Sequence, residues 1–225
     1  MDFEPTGTGA GITPELATSN PDQFRDLTLQ LLRTESVHGG ALFDLLQEQG
    51  LASPKFELDT TGWVSRSEEG SKIVLGTKPL SPHTKHELIF EDRRFGYGSE
   101  MALKLLHELS HKFAFYVDPR NSRFNRFRNN LVSQREGSPK MGLSTLGNLD
   151  FYITKGPLHQ STEDITELLK MYSSDPAYLR RFLDFLSSPS SRDARQQMGL
   201  SSLSAESSNN VYEIISGTIE NELQR

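Results

Sequence analysis

His107, Glu108 and His111 stand in the series His-Glu-Leu-Ser-His. On an α-helix, residues four apart share a face, so both imidazoles can reach one ion. The glutamate beside the first histidine then projects towards the open side of that ion, where it can take a proton from a bound water. The chemistry is that of zinc activating water for hydrolysis. The chain holds 6 histidines and no cysteine, so any metal site must use imidazoles and carboxylates. The competing reading is two surface histidines on an amphipathic helix. Leu105, Leu106, Phe113 and Phe115 weigh against it, because they predict a helix buried against a sheet.

Two histidines do not close a zinc site, and the third ligand sets the class. A metzincin-type extension needs Gly three residues after the second histidine and His or Asp six after it. Ala114 and Val117 occupy those places, and Asp118 falls one residue late, where it reads as a helix-end residue. The better candidate is the segment 161–169. Glu163 and Glu167 are four apart and share a helical face, while Ile165, Leu168 and Leu169 turn to the core. One carboxylate can bind zinc, and the other can accept the free N–H of a ligating histidine and so fix its tautomer. We take Glu163 as the third ligand. The plainer alternative is that Glu163 and Asp164 only favour the helix N-terminus electrostatically.

In these segments the chain resembles the gluzincin group of zinc metallopeptidases, which includes thermolysin-like and anthrax-lethal-factor-like catalytic domains. In that group His-Glu-x-x-His on the active-site helix is completed by a Glu from a later helix, with a second carboxylate four residues on. The matching positions are His107, Glu108, His111, Glu163 and Glu167, and the run from Glu163 to Tyr172 is similar in spacing to the lethal-factor glutamate helix. The resemblance implies Zn²⁺ as cofactor, a peptide or protein substrate, and Glu167 outside the ligand set. It further implies attack by a zinc-bound water with Glu108 as general base. A peptidase also needs a donor for the oxyanion, and Tyr152, His159 and Tyr172 are the candidates near the glutamate helix. The likeness covers two short segments, and three residues depart from it. Lys112 follows the second histidine where an uncharged residue is usual. Lys104 replaces a small or β-branched residue, and Glu167 stands where thermolysin-like enzymes carry Asp.

These residues need a long helix to carry them, and the sequence predicts one from Ser99, as N-cap, to about Tyr116. Met101, Leu105 and Leu109 mark its apolar stripe, and Asp118-Pro119 ends it. Ahead of it, residues 1–20 read as a mobile arm rich in Gly, Thr, Pro and Ser. Asn20-Pro21-Asp22-Gln23 starts a helix, and a second covers about Ala41 to Gln49 and stops at Gly50. Short β-rich runs follow at 56–58, 62–66, 72–75 and 87–90, separated by breakers, which predicts a small antiparallel or mixed sheet. Trp63 reads as a packing residue of that sheet, and His83 and His86 precede a strand rather than share a helix. Residues 119–140 carry six basic residues against Glu136. They read as a solvated insertion in which Phe124, Phe127 and Leu131 can form one face of a short helix, with a rim selecting acidic substrate or a contact to an anionic partner as the alternatives. Helices are predicted at 162–171, 176–186 and 211–223, with Asp175-Pro176 a restart signal and the Ser-rich run 200–208 a linker.

The chain has 225 residues and a net charge of −6, enough for one domain with a sizeable core and unlike the basic footprint of a nucleic-acid binder. No apolar run approaches the ~18 residues of a membrane span. The start carries no basic and apolar leader, so a cytoplasmic location is expected. The expected fold is α+β and zincin-like, one domain over 21–225 with the sheet and active-site helix to about 118 and a helical part over 119–225. Two other functions share these residues: a non-catalytic interaction protein on a zincin scaffold, and a zinc hydrolase acting on a non-peptide amide.

Overall fold

The computed structural model describes residues 11–79, 96–137, 157–197 and 203–225, and within them every side chain except those of 130–137, 157–163 and 196–197. The described chain is α+β, mostly helical with a three-stranded sheet. It divides into two compact units, Met1–Lys112 and Phe113–Arg225. The boundary falls inside the long helix.

In the first unit, order begins earlier than expected. Thr13 caps a short helix α1 (Pro14–Ser19), accepting a hydrogen bond from the Leu16 amide at 3.3 Å. Ile12 and Ala17 are buried beside it, so apolar anchoring overrides the Gly- and Thr-rich composition. Helix α2 (Pro21–Glu35) starts as predicted. The Asn20 side-chain Oδ1 accepts from the Gln23 amide at 3.2 Å, and the Asn20 side-chain NH₂ donates back to Gln23 Oε1 at 3.0 Å. Helix α3 (Gly39–Glu48) buries Leu42, Phe43 and Leu46, and Gly50, at φ +69°, ends the turn that follows.

The sheet comprises β1 (Glu57–Asp59), β2 (Arg66–Ser67) and β3 (Ile73–Gly76) in the order β1-β3-β2, with β1 parallel and β2 antiparallel to β3. Ile73, Val74 and Leu75 are all buried, as suits a central strand. The strand expected at 87–90, and His83 and His86, lie outside the described residues. Trp63 is not a packing residue of the sheet. It lies in the link from β1 to β2 with 45% of its surface exposed. The backbone of that link runs so close to β3 that a Cβ at Gly76 would stand 2.6 Å from the Val64 carbonyl oxygen, which makes glycine the residue that fits there.

Helix α4 (Tyr97–Val117) begins two residues before the predicted cap. The Glu100 amide donates to Gly96 O at 3.1 Å, which places Ser99 in the first turn rather than at the cap. Met101, Leu105, Leu106, Leu109 and Phe113 are fully buried, but Phe115 is 70% exposed. Its place four residues after His111 puts it on the histidine face of the helix instead of the apolar one.

The second unit is helical. The Arg-rich stretch is a helix, α5 (Ser122–Gly137), not a solvated loop. Asn121 caps it through the amides of Arg123 at 3.1 Å and Phe124 at 3.0 Å, and Phe124 is buried. Helices α6 (Pro157–Ser174) and α7 (Pro176–Ser187) meet at Asp175, whose carboxylate accepts from the Ala177 amide at 2.9 Å. A 3₁₀ turn (Pro189–Ser191) and α8 (Arg192–Gln197) lead on to α9 (Ala205–Leu223), which lies against α5, α6 and α7. Ser204 caps α9, so the end of the Ser-rich run is helical rather than linker. Among the described residues, no helix is long and apolar enough to cross a membrane.

Candidate metal centre

His107 and His111 lie on consecutive turns of α4, both half-buried. Their rings meet edge to face, with centroids 4.8 Å apart and planes at 83°, and the two Nε2 atoms are 3.1 Å apart. A tetrahedral zinc with Zn–N bonds of about 2.0–2.1 Å separates two nitrogen ligands by roughly 3.3–3.4 Å. The donor pair therefore fits one ion with little adjustment. The same separation suits an N–H···N hydrogen bond between neutral imidazoles of complementary tautomers.

Glu108 is 3% exposed. Its Oε2 accepts a hydrogen bond of 2.9 Å from the Ser67 hydroxyl on β2, and the same hydroxyl lies 3.0 Å from the Glu108 main-chain oxygen. One O–H thus faces two acceptors of the same residue. The carboxylate's place is defined further by its neighbours along the helix. Glu100, Lys104, Glu108 and Lys112 follow one another at intervals of four, and all four are buried.

Lys104 Nζ donates to Gly76 O at 3.1 Å and to Lys78 O at 2.8 Å, and pairs with Glu100 at 3.4 Å. Lys112 Nζ donates to Glu68 O and, at 2.7 Å, to Gly70 O. The two ammonium groups grip the β2–β3 hairpin on either side of Glu108, one at its turn and one beyond β3. Burial lowers the pKa of both lysines, and the nearby carboxylates, Glu100 for Lys104 and Glu108 with Glu68 for Lys112, pull it back up. Both lysines thus bind the helix to carbonyls of the sheet region.

Among the described residues, no three His, Cys, Asp or Glu side chains come together as a metal-sized group. Glu163 and His159 lie in α6 with side chains outside the described residues, and Tyr152 lies outside them altogether. Glu167 is ion-paired with Lys170 at 2.5 Å within α6. Ile165, Leu168 and Leu169 are buried as the spacing predicts. Tyr172 is buried, and its hydroxyl, a single donor, is given to Glu220 of α9. Burial and that carboxylate raise its pKa, so the phenol stays neutral. Its proton is committed inside the helical unit instead of being offered to an oxyanion.

The sequence reading missed Ser67 and the two lysines. A signal for the lysines was present in the four-residue recurrence of charge at 100, 104, 108 and 112, which an exposed helix face would also show. Ser67 carries no such signal, since a serine beside two glutamates at the end of a short strand is ordinary. Comparison of the chain with protein-family models, with curated proteins and with solved structures found no match.

Proposed function

We propose that this protein is a zinc-dependent hydrolase of the gluzincin type, with a zincin-like arrangement of sheet and active-site helix, and that it cleaves peptide bonds. The observation that carries this reading is the pair of imidazole nitrogens 3.1 Å apart on α4, beside a buried, hydrogen-bonded glutamate. A histidine pair that only binds zinc does not require an acid at that position, whereas a hydrolase needs a base there. His107 and His111 would hold the ion through Nε2, and Glu163 of α6 is proposed as the third ligand with Glu167 outside the ligand set. Zinc, when bound, supplies a Lewis acid that polarises the scissile carbonyl and acidifies water. Glu108 accepts the proton of the attacking water and delivers it to the leaving amine, so the carboxylate returns to its starting state. His159 and Tyr152 remain the proposed donors to the oxyanion. Tyr172 leaves that set because its hydroxyl is bound to Glu220.

Glu108→Gln tests this directly, because it keeps volume and hydrogen bonding but cannot accept the proton. Cleavage of a broad peptide library, read by mass spectrometry, should fall about two to four orders of magnitude, with zinc content unchanged. Equal cleavage by both proteins removes Glu108 from the mechanism. Zinc-loaded wild type that cleaves no peptide contradicts the peptidase reading and favours a binding scaffold or a non-peptide amide.

A further inference from the structure

Among the described residues, the hydroxyl of Ser67 donates to the Glu108 carboxylate, at 2.9 Å from Oε2. Ser67 is the last residue of the edge strand β2 and is paired in register with Ile73 of β3. The residues just after it are fixed twice over. The Glu68 amide closes the hairpin turn on Lys72 O at 3.0 Å, and Lys112 binds the carbonyls of Glu68 and Gly70. One helical turn before Glu108, Lys104 holds the carbonyl of Gly76 at the far end of β3. The hairpin and the helix are thus joined at positions four residues either side of Glu108, with Ser67 between them. A carboxylate on a flexible side chain is held in one rotamer only where such a partner is itself immobile.

We propose that Ser67 is the positioning residue for the general base. Its O–H holds Oε2 and so directs Oε1 to the proton that Glu108 must receive. The site selects serine because a hydroxyl also reaches the Glu108 main-chain oxygen at 3.0 Å, which ties side chain and backbone of the base to one donor. This role rests on the hydrolase reading above, and the test separates the two.

The informative pair is Ser67→Thr and Ser67→Val, because the two side chains have nearly the same shape and differ by the hydroxyl, and both suit a strand. On a peptide that wild type cleaves, Ser67→Val should lower kcat by about ten- to a hundredfold, the scale of a lost hydrogen bond to a charged group, with KM within about twofold. Ser67→Thr should restore kcat to within about threefold, and Ser67→Val should add no loss in a Glu108→Gln background. A readout independent of activity is the melting temperature of the metal-free protein. There the losses from Ser67→Val and Glu108→Ala should be less than additive, since both remove one interaction. Equal kcat for the Thr and Val variants, or fully additive melting losses, overturns the positioning role and leaves the hydrolase reading standing. Wild type that binds zinc and cleaves nothing overturns both.

Discussion

Helices α4 and α7 solve the same problem in opposite ways. Helix α7 buries Tyr178, Leu179, Phe182, Leu183 and Leu186 and turns Arg181 and Asp184 to solvent. Helix α4 has an equally apolar stripe, but it also buries Glu100, Lys104, Glu108 and Lys112 along one line. Each buried charge on α4 needs partners, because an unpaired one costs several kcal/mol. The sheet backbone supplies most of them, through Gly76, Lys78, Glu68 and Gly70. Apolar residues of similar volume in place of whole ion pairs would serve stability as well or better, whereas removing one partner alone is destabilising. The lesson is that α7 gains stability from apolar burial, whereas α4 buries charges whose partners the sheet must supply.

The comparison breaks if α7 tolerates truncation. Phe182 is fully buried, and Phe182→Ala should cost about 3–5 kcal/mol, read by denaturant unfolding. A loss below about 1 kcal/mol would mean that the second unit is not held by this core.

A smaller and pH-dependent effect is expected on α4. Lys104→Met removes the donors to Gly76 O and Lys78 O, leaves Glu100 without its lysine, and should cost about 1–3 kcal/mol at pH 7. The folded pKa of Lys104 lies below its usual 10.5 because of burial. Below that folded value the ammonium is charged in both states and its desolvation opposes folding. As pH rises from the folded pKa towards 10.5, the unfolded chain binds more protons, so the lysine's contribution to stability increases. The melting-temperature gap between wild type and Lys104→Met should therefore widen as pH rises towards 10.5. Tyr97, held neutral up to about 12 by burial and Glu100, lowers the stability of both proteins above pH 10 and cancels in the difference. A constant gap would show that Lys104 is not desolvated.

The smallest effect belongs to the surface of the second unit. Arg123 pairs with Glu213 at 3.3 Å with both side chains more than half exposed, so Arg123→Ala should change stability by about 0.5 kcal/mol or less. A larger loss would make the Arg-rich helix α5 a structural element of the same weight as α7.

What could be read from the sequence divides along the same line. Caps and apolar periods are local, and so Asn20-Pro21, Asp175-Pro176 and the long helix around His107 were legible, as was the spacing that brings the two histidines together. Helix α1 was not, because six residues show no period and its anchoring depends on buried Ile12 and Ala17. Helix α4 starts ahead of Ser99 because the Gly96 carbonyl takes the Glu100 amide, which leaves Ser99 inside the first turn. Phe115 and Trp63 were assigned to the core on hydrophobicity alone, and both are exposed. The partners of Glu108 were the least legible part. Ser67 is 41 residues away in sequence, and a contact of that range is a property of how the hairpin meets the helix.

Zinc content decides whether α4 holds the proposed metal. Elemental analysis of the purified protein should give about one zinc per chain, abolished when His107 and His111 are both replaced by alanine and retained in Glu108→Gln. Glu163→Ala should weaken binding strongly, and Glu167→Ala by about ten- to a hundredfold. Full zinc occupancy in the double histidine variant, or wild type that binds no zinc when the metal is supplied, would contradict the account.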